Sequence, residues 1–383
     1  MRDEFLPLTR PAIDETDIAA VAAVLRSGWI TTGSKTRQLE QRIGEYTGAA
    51  GCVAVSSGTA GMHLVLEALG IGAGDEVVTP SMTWVSTPNL ILLQGARPVF
   101  ADIDRDTLMI NRKTLEPCLT ERTRLVIPVH FAGASLDLDP IRALCRDRDI
   151  ALVEDSAHAL GSEYRGEPVG RRGTSVFSFQ AIKNVTTAEG GAICSDDKDL
   201  LERTRRLRFH GLEATAYDRK VRGRALQAEV LEPGYKYNLP DMAAALGLGQ
   251  LARLDSLIEK RRRIATHYIR RLEEIEEITP LLLPDWPMRH AWHLFVVRLD
   301  IDGYGRSRDF FIERLKDRNI GAGIHFRAVH RQRYYRESMP LPAGTLPETE
   351  WNSERILSLP LSPEMVDRDV DDVIDAIKRE LKG

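Results

Sequence analysis

The sequence predicts an α/β protein, built on a mostly parallel sheet covered by helices and followed by a smaller α+β unit. Three observations carry this. Between residues 52 and 155, short apolar runs alternate with helical patterns, as a sheet buried on both faces demands. A helical pattern over about 241–275 opens small and apolar (MAAALGLGQL) and turns heavily charged, which suits an element leaving one core for a second. Beyond it come isolated strands and helices. These features divide the 383 residues into a large domain, 1–255 with an N-terminal arm, and a small C-terminal domain, 256–383.

Taken in order, an extended arm leads to an amphipathic helix over about 14–26, with Ile18, Val21, Val24 and Leu25 on its apolar face. The turn Gly28-Trp29-Ile30-Thr31-Thr32-Gly33 follows, where Trp29 either caps the core or walls a pocket. Strands are expected at 53–56, 76–80, 98–103, 125–129 and 150–155, and helices at 59–69, 84–93, near 112–118 and over 138–148. A further strand around Ser178 runs into a polar loop that ends in Gly190 and Gly191. Residues 212–236 read as a long irregular loop, and Pro240 and Asp241 suit the first turn of the helix that follows. In the C-terminal part, strands are expected at 293–301 and 321–326, helices at 307–318 and 364–381, and an irregular segment at 330–350.

Composition narrows the classes. Lys+Arg 52 against Asp+Glu 56 leaves a net charge of −4, too little basic field for nucleic acid or an anionic membrane. The basic clusters at 203–208 and 260–263 lie in helical patterns with acidic neighbours and read as solvated faces. Cys52, Cys118, Cys145 and Cys194 form no C-x-x-C pair and no cysteine–histidine spacing. We expect four separate structural thiols, no metal and a reducing compartment. With no apolar signal core at the amino end and no run near the roughly 18 apolar residues of a membrane span, a cytoplasmic protein is expected.

Ligands of such sheets bind beyond the carboxyl ends of the strands. That rule gives several polar residues one location. Ser56-Ser57-Gly58-Thr59-Ala60 ends one strand and opens a helix, so it reads either as a plain helix N-cap or as a cradle for a phosphate. Asp155 ends another strand, and Ser178 and Lys183 follow a later one. Lys183 either snorkels into water or lies buried, with its amine pushed toward the neutral, nucleophilic form. Neither G-x-G-x-x-G after the first strand nor G-x-x-x-x-G-K-[ST] is present, which speaks against dinucleotides and nucleoside triphosphates. An amine, an acid and an anion cradle are instead the parts that hold pyridoxal 5′-phosphate (PLP), with Trp84 placed to stack on its ring.

At this point the chain resembles a known family. Ser57-Gly58-Thr59-Ala60, Thr83-Trp84, Glu154-Asp155-Ser156-Ala157-His158, Ser178-Phe179 with Lys183-Asn184, and Tyr237-Asn238-Leu239 are similar, in order, to the DegT/DnrJ/EryC1/StrS sugar aminotransferases. The resemblance implies a PLP-dependent enzyme of fold type I, with a sheet of the seven-stranded kind, acting as a homodimer with shared active sites. Segments outside the cofactor motifs, among them GWITTG (28–33), QAEVL with PGYKYNL (227–239), HAWHLF (290–295) and HFRA (325–328), are similar to the branch that aminates a UDP-4-keto-pentose. It implies L-glutamate as donor, 2-oxoglutarate as by-product, and UDP-4-amino-4-deoxy-L-arabinose, a lipid A precursor, as product.

Residue by residue, the resemblance implies Lys183 as the Schiff-base lysine and catalytic base, Asp155 at the pyridine nitrogen and Trp84 on the ring. It places His158 near the ring oxygen, and Ser57, Thr59, Ala60 and Ser178 at the phosphate, with Asn238 reaching the phosphate of the other subunit. Trp29, Lys236, His325 and Arg327, with Arg222 and Arg224, are expected around the sugar nucleotide. Gln180 departs from the histidine common at its position; it can hydrogen-bond but cannot carry a proton. The rival readings are the same chemistry on a nucleotide-linked keto-hexose, a PLP-dependent sugar dehydratase and a non-catalytic binding protein.

Overall fold

The structure is a computed structural model and describes residues 2–213, 217 and 228–382. Arg222 and Arg224, with most of the predicted 212–236 loop, lie outside the described residues. Helices α1 Glu15–Ser27 and α2 Ser34–Thr47 precede strand β1 Gly51–Val55. Then β2 Glu76–Pro80, β3 Arg97–Ala101, β4 Thr123–Val126 and β5 Ala151–Asp155 follow. Between them lie α3 Gly58–Leu69, α4 Ser86–Leu93, α5 Arg112–Leu115 and α6 Leu138–Asp147. A short hairpin of β6 Glu163–Tyr164 and β7 Glu167–Pro168 leads to β8 Thr174–Ser178, β9 Gly191–Ser195 and α7 Lys198–Leu207.

Seven of these strands form one sheet in the order β1-β9-β8-β5-β4-β2-β3. All neighbouring pairs are parallel except those made by β9, which runs against β8 and β1. Val53, Val55, Val77, Val78 and Val126 are fully buried, because helices cover both faces of the sheet. The sequence reading missed β9, taking Gly191 as loop. Glycine is needed there for close packing: a Cβ would come within 2.6 Å of the Gly58 nitrogen and 2.7 Å of the Phe177 carbonyl. The same pairing sets Cys52 opposite Cys194. The two buried thiols are therefore neighbours, not separate as expected, and the thiol–thiol hydrogen bond together with burial pushes Cys52 up.

The 241–275 pattern is two helices, Asp241–Ala252 and Leu254–Leu272, broken at Arg253. Arg253 is drawn aside by ion pairs to Asp14 and Asp17 on the entry to α1. The second helix buries Leu254 and Ile258 against the large sheet's flank, and Ile264, Tyr268 and Leu272 in a second core. That core lies under β10 Ile278–Pro280, β12 Phe295–Leu299 and β13 Ile356–Leu359, an antiparallel sheet in the order β10-β12-β13. Between β10 and β12, the two-residue strand β11 Met288–Arg289 pairs with β6.

Two expectations fail in this part. Residues 321–326 form no strand beyond a bridge from Gly323 to Ser358. The N-terminal arm pairs beside it: Leu6 donates to Asn319 and accepts from Gly321, and Leu8 accepts from Leu361. The segment 330–350 is also not irregular throughout, since it contains the helix Arg333–Ser338 and the start of Pro347–Arg355, with proline at its first turn. Among the described residues no helix is long and apolar enough to cross a membrane.

Candidate active site

A cavity of about 470 Å³ opens at the carboxyl edge of the large sheet. Its floor comes from strand ends. β5 delivers Asp155, β8 delivers Ser178, and the turn after β8 brings in Lys183. The opening of α3 adds Ser57, Gly58 and Thr59. Ser57 is the helix N-cap, its hydroxyl accepting from Ala60 N at 3.0 Å, and it also lines the cavity. Gly58 is again a matter of space, since a Cβ would lie 3.1 Å from that of Ser178.

The electrostatics follow from burial. Loss of solvation pulls the Lys183 amine down to about 8, against the pull of nearby Asp155. Asp155 is raised above its ordinary value by burial, offset in part by the Ala157 amide at 3.2 Å, Lys183 and the Thr87 hydroxyl at 3.4 Å. Behind it lies Glu154, fully buried. Burial acts to raise Glu154, but the His130 hydrogen bond at 3.1 Å and Arg142 at 2.9 Å hold it below its usual range. His130 takes the Leu136 amide on Nδ1 at 3.1 Å, so its proton sits on Nε2 and points to Glu154.

His158 is buried and held well below the usual imidazole range by desolvation, with Lys183 and His325 adding to the effect. Its Nδ1 accepts from the Ala132 amide at 3.3 Å. The neutral ring therefore carries its proton on Nε2, away from that amide. Trp84 lines the cavity and stays 60% exposed, unusual for so large an aromatic and suited to a face that a ligand covers. Helix α4 starts at Ser86, so Trp84 lies before it in irregular chain, not in the helix expected from 84. His325 completes the wall, its Nδ1 2.9 Å from the Ser358 hydroxyl.

Thus Ser57, Thr59, Trp84, Asp155, His158, Ser178, Lys183 and His325 meet in one cavity. Others do not line it. Ala60 is buried in the first turn of α3. Asn238 bridges to Val55 and donates to the Thr32 hydroxyl at 2.6 Å, while Lys236 reaches back to Asn238. Trp29 donates to the Thr32 carbonyl at 3.2 Å and packs edge-on to Tyr217, and Arg327 is exposed.

Gln180, unexplained by the sequence, lines the cavity, and its side-chain oxygen accepts from Ile182 N at 3.0 Å, shaping the turn that carries Lys183. The sequence reading missed Thr87, Phe326 and His293. Phe326 stacks on His158 with centroids 5.7 Å apart. His293 Nε2 lies 3.5 Å from Lys183 Nζ. The segment HAWHLF was noticed as a block, but a histidine among apolar residues reads equally well as core.

The donor set suits a phosphorylated pyridine aldehyde: a near-neutral amine, a buried carboxylate, an exposed aromatic face, and hydroxyls with free amides at a helix N-terminus. Comparison with known proteins agrees along the whole chain. A protein named UDP-4-amino-4-deoxy-L-arabinose–oxoglutarate aminotransferase, from Shewanella sediminis, is 57% identical over 381 residues, 98% of each chain. The PLP-form of Spr1654 from Streptococcus pneumoniae superimposes with a TM-score of 0.89 at 32% identity, covering 100% of this chain and 99% of that one. Helicobacter pylori PseC, an aminotransferase involved in the biosynthesis of pseudoaminic acid, gives 0.90 at 28% identity over 99% and 100%. Residues 11–378 match one family description, and with the cavity that its chemistry requires, the chain belongs to the DegT/DnrJ/EryC1/StrS aminotransferase family, whose cofactor is PLP.

Proposed function

We propose that the enzyme moves the amino group of L-glutamate to the C4 ketone of a UDP-linked 4-keto-pentose, giving UDP-4-amino-4-deoxy-L-arabinose and 2-oxoglutarate. The observation that carries this reading is the 57% identity, across 98% of both chains, to a relative bearing that name, joined to a cavity holding Lys183 and Asp155 together.

When bound, PLP supplies an aldehyde that takes up amines and a protonated ring that draws electrons from the reacting carbon. The chain's residues do the rest. Lys183 would hold the aldehyde, and its freed amine would be the base that moves the proton at the amino acid's Cα and, in the second half of the reaction, at C4 of the sugar. Asp155 keeps the ring nitrogen protonated. His158 offers its Nε2 proton to the ring oxygen. Ser57, Thr59 and Ser178, with the free amides of α3, bind the phosphate, and Trp84 covers the ring.

For the sugar nucleotide, the reading uses Trp29, His325, Lys236 and Arg327. Five of the proposed contacts, Trp29, Ala60, Asn238, Lys236 and Arg327, lie outside the cavity of the single chain, and the reading has a homodimer complete each site across its interface. The division into domains 1–255 and 256–383, a cytoplasmic setting and a place in lipid A modification belong to the same reading.

Purified enzyme given glutamate and the UDP-4-keto-pentose should release one 2-oxoglutarate per amino sugar. Preference for a UDP-keto-hexose would move the assignment to a different sugar, and free ammonia without 2-oxoglutarate would make the enzyme a dehydratase.

A further inference from the structure

We propose that His293 is the positioning residue for Lys183: its Nε2 accepts a hydrogen bond from the lysine amine whenever that amine is free of the cofactor, and so fixes where the amine lies in the cavity. The inference rests on the reading of Lys183 as the Schiff-base lysine.

His293 belongs to none of the motifs assigned to the cofactor. It is 2% exposed, its Nε2 lies 3.5 Å from Lys183 Nζ, and its ring sits tilted against His158 at 4.4 Å between centroids. Its Nδ1 has no hydrogen-bond partner among the described residues. A neutral imidazole that accepts at Nε2 must carry its proton at Nδ1, so this ring spends a buried donor to face its acceptor toward the lysine. A buried polar atom left unmatched calls for a reason, and here the lysine facing the opposite nitrogen supplies one.

The backbone is built to keep the ring there. Arg261, itself buried and with no carboxylate partner among the described residues, donates one guanidinium nitrogen to the carbonyls of Trp292 at 3.5 Å, His293 at 3.4 Å and Leu361 at 3.1 Å. From the other side, Ala291 donates to Gly133 and Leu294 to Ala132. Gly133, at φ +102°, permits this approach, for a Cβ there would stand 2.8 Å from the amide nitrogens of Trp292 and His293. Trp292 is held at φ +49°, a left-handed conformation that bulky residues rarely adopt. The helix that joins the two cores thus fixes the histidine that faces the lysine.

The groups around the pair are consistent with this direction of donation. Asp155 faces the lysine, while burial first, and then His158, Lys183, Arg261 and His325, keep His293 well below the usual imidazole range. It stays an acceptor while the amine cycles between charged and neutral.

The test uses the full-length chain freed of cofactor, pulse-labelled with acetic anhydride between pH 6 and 10, with the Lys183 peptide quantified by mass spectrometry. Wild type should titrate near 8. An ammonium that loses its acceptor is less stable, so His293→Leu should lower the midpoint by about one unit and speed labelling at pH 7 roughly fivefold. His293→Gln, whose amide oxygen takes the place of Nε2, should label like wild type; His293→Asn, which reaches only as far as Nδ1, should follow Leu. The Gln and Asn pair carries the contrast if the Leu protein does not fold. An unchanged or raised midpoint in Leu and Asn, or a Gln variant that follows them, overturns the proposal. Borohydride reduction of the PLP-loaded wild type checks the underlying reading separately: an adduct mapped away from Lys183 overturns the assignment of Lys183 and this proposal with it, whereas an adduct on Lys183 with unmoved midpoints overturns the role of His293 alone.

Discussion

The floor and the roof of the cavity are made differently. The floor is assembled from the ends of parallel strands: Asp155 closes β5, Ser178 closes β8, and Ser57 follows β1. Hydrogen bonds to neighbouring strands leave such residues little choice of position. The roof is irregular chain, with His325 and Phe326 in a stretch that makes only one bridge to β13, and His293, just before β12, stands behind Lys183. Its residues are fixed by side-chain and backbone contacts made across the two cores. On the proposed reading this becomes a division of labour: the rigid floor carries the cofactor's chemistry, and the roof adjusts the amine and meets the varying part of the substrate.

Substitutions can break or sharpen that division. The largest effect is expected from Lys183→Ala, which removes both attachment and base and should lower turnover by about 10⁴-fold, read by 2-oxoglutarate release. Normal turnover would remove the floor from the chemistry. Asp155→Ala should cost roughly 10²- to 10³-fold in kcat while the protein still takes up PLP, measured by absorbance and by kinetics. A roof substitution should behave otherwise: His325→Ala is expected to raise KM for the keto sugar about tenfold and leave the glutamate half-reaction unchanged in single-turnover experiments. An equal loss in both half-reactions would erase the distinction. The smallest effect is expected at Gln180→Ala, where one turn hydrogen bond worth about 1 kcal/mol is lost, giving roughly a fivefold fall in kcat.

Capture of PLP should also depend on pH in one direction. Only the neutral amine attacks the aldehyde, and burial lowers Lys183 to about 8. Below that value the amine is mostly protonated and capture by cofactor-free protein is slow; through it the rate rises and then levels. Stopped-flow absorbance measures the midpoint, and one near the ordinary lysine value of 10.5 would mean that the floor is wet.

Most of the floor was legible because local chemistry announces it. A hydroxyl-rich strand end opening a helix, an acid closing an apolar run, and a lysine in a glycine-ended loop each carry their meaning within a few residues. β9 escaped because Gly191 looks like a loop residue until the approach of Gly58 is known. His293 escaped because its meaning depends on a lysine 110 residues away.

By itself the sequence determined the alternation of strands and helices, the sheet edge where the cavity opens, and the amine, acid and helix-opening hydroxyls set along it. Periodicity and capping are local, and the chain cannot hide them. Only the tertiary structure decided that β9 runs against its neighbours, that the 241–275 pattern breaks at Arg253, and that 321–326 makes a single bridge to β13 in place of a strand. It also decided which histidines face the lysine. These outcomes depend on space and on partners distant in the chain, where packing and desolvation, not local preference, set the free energy.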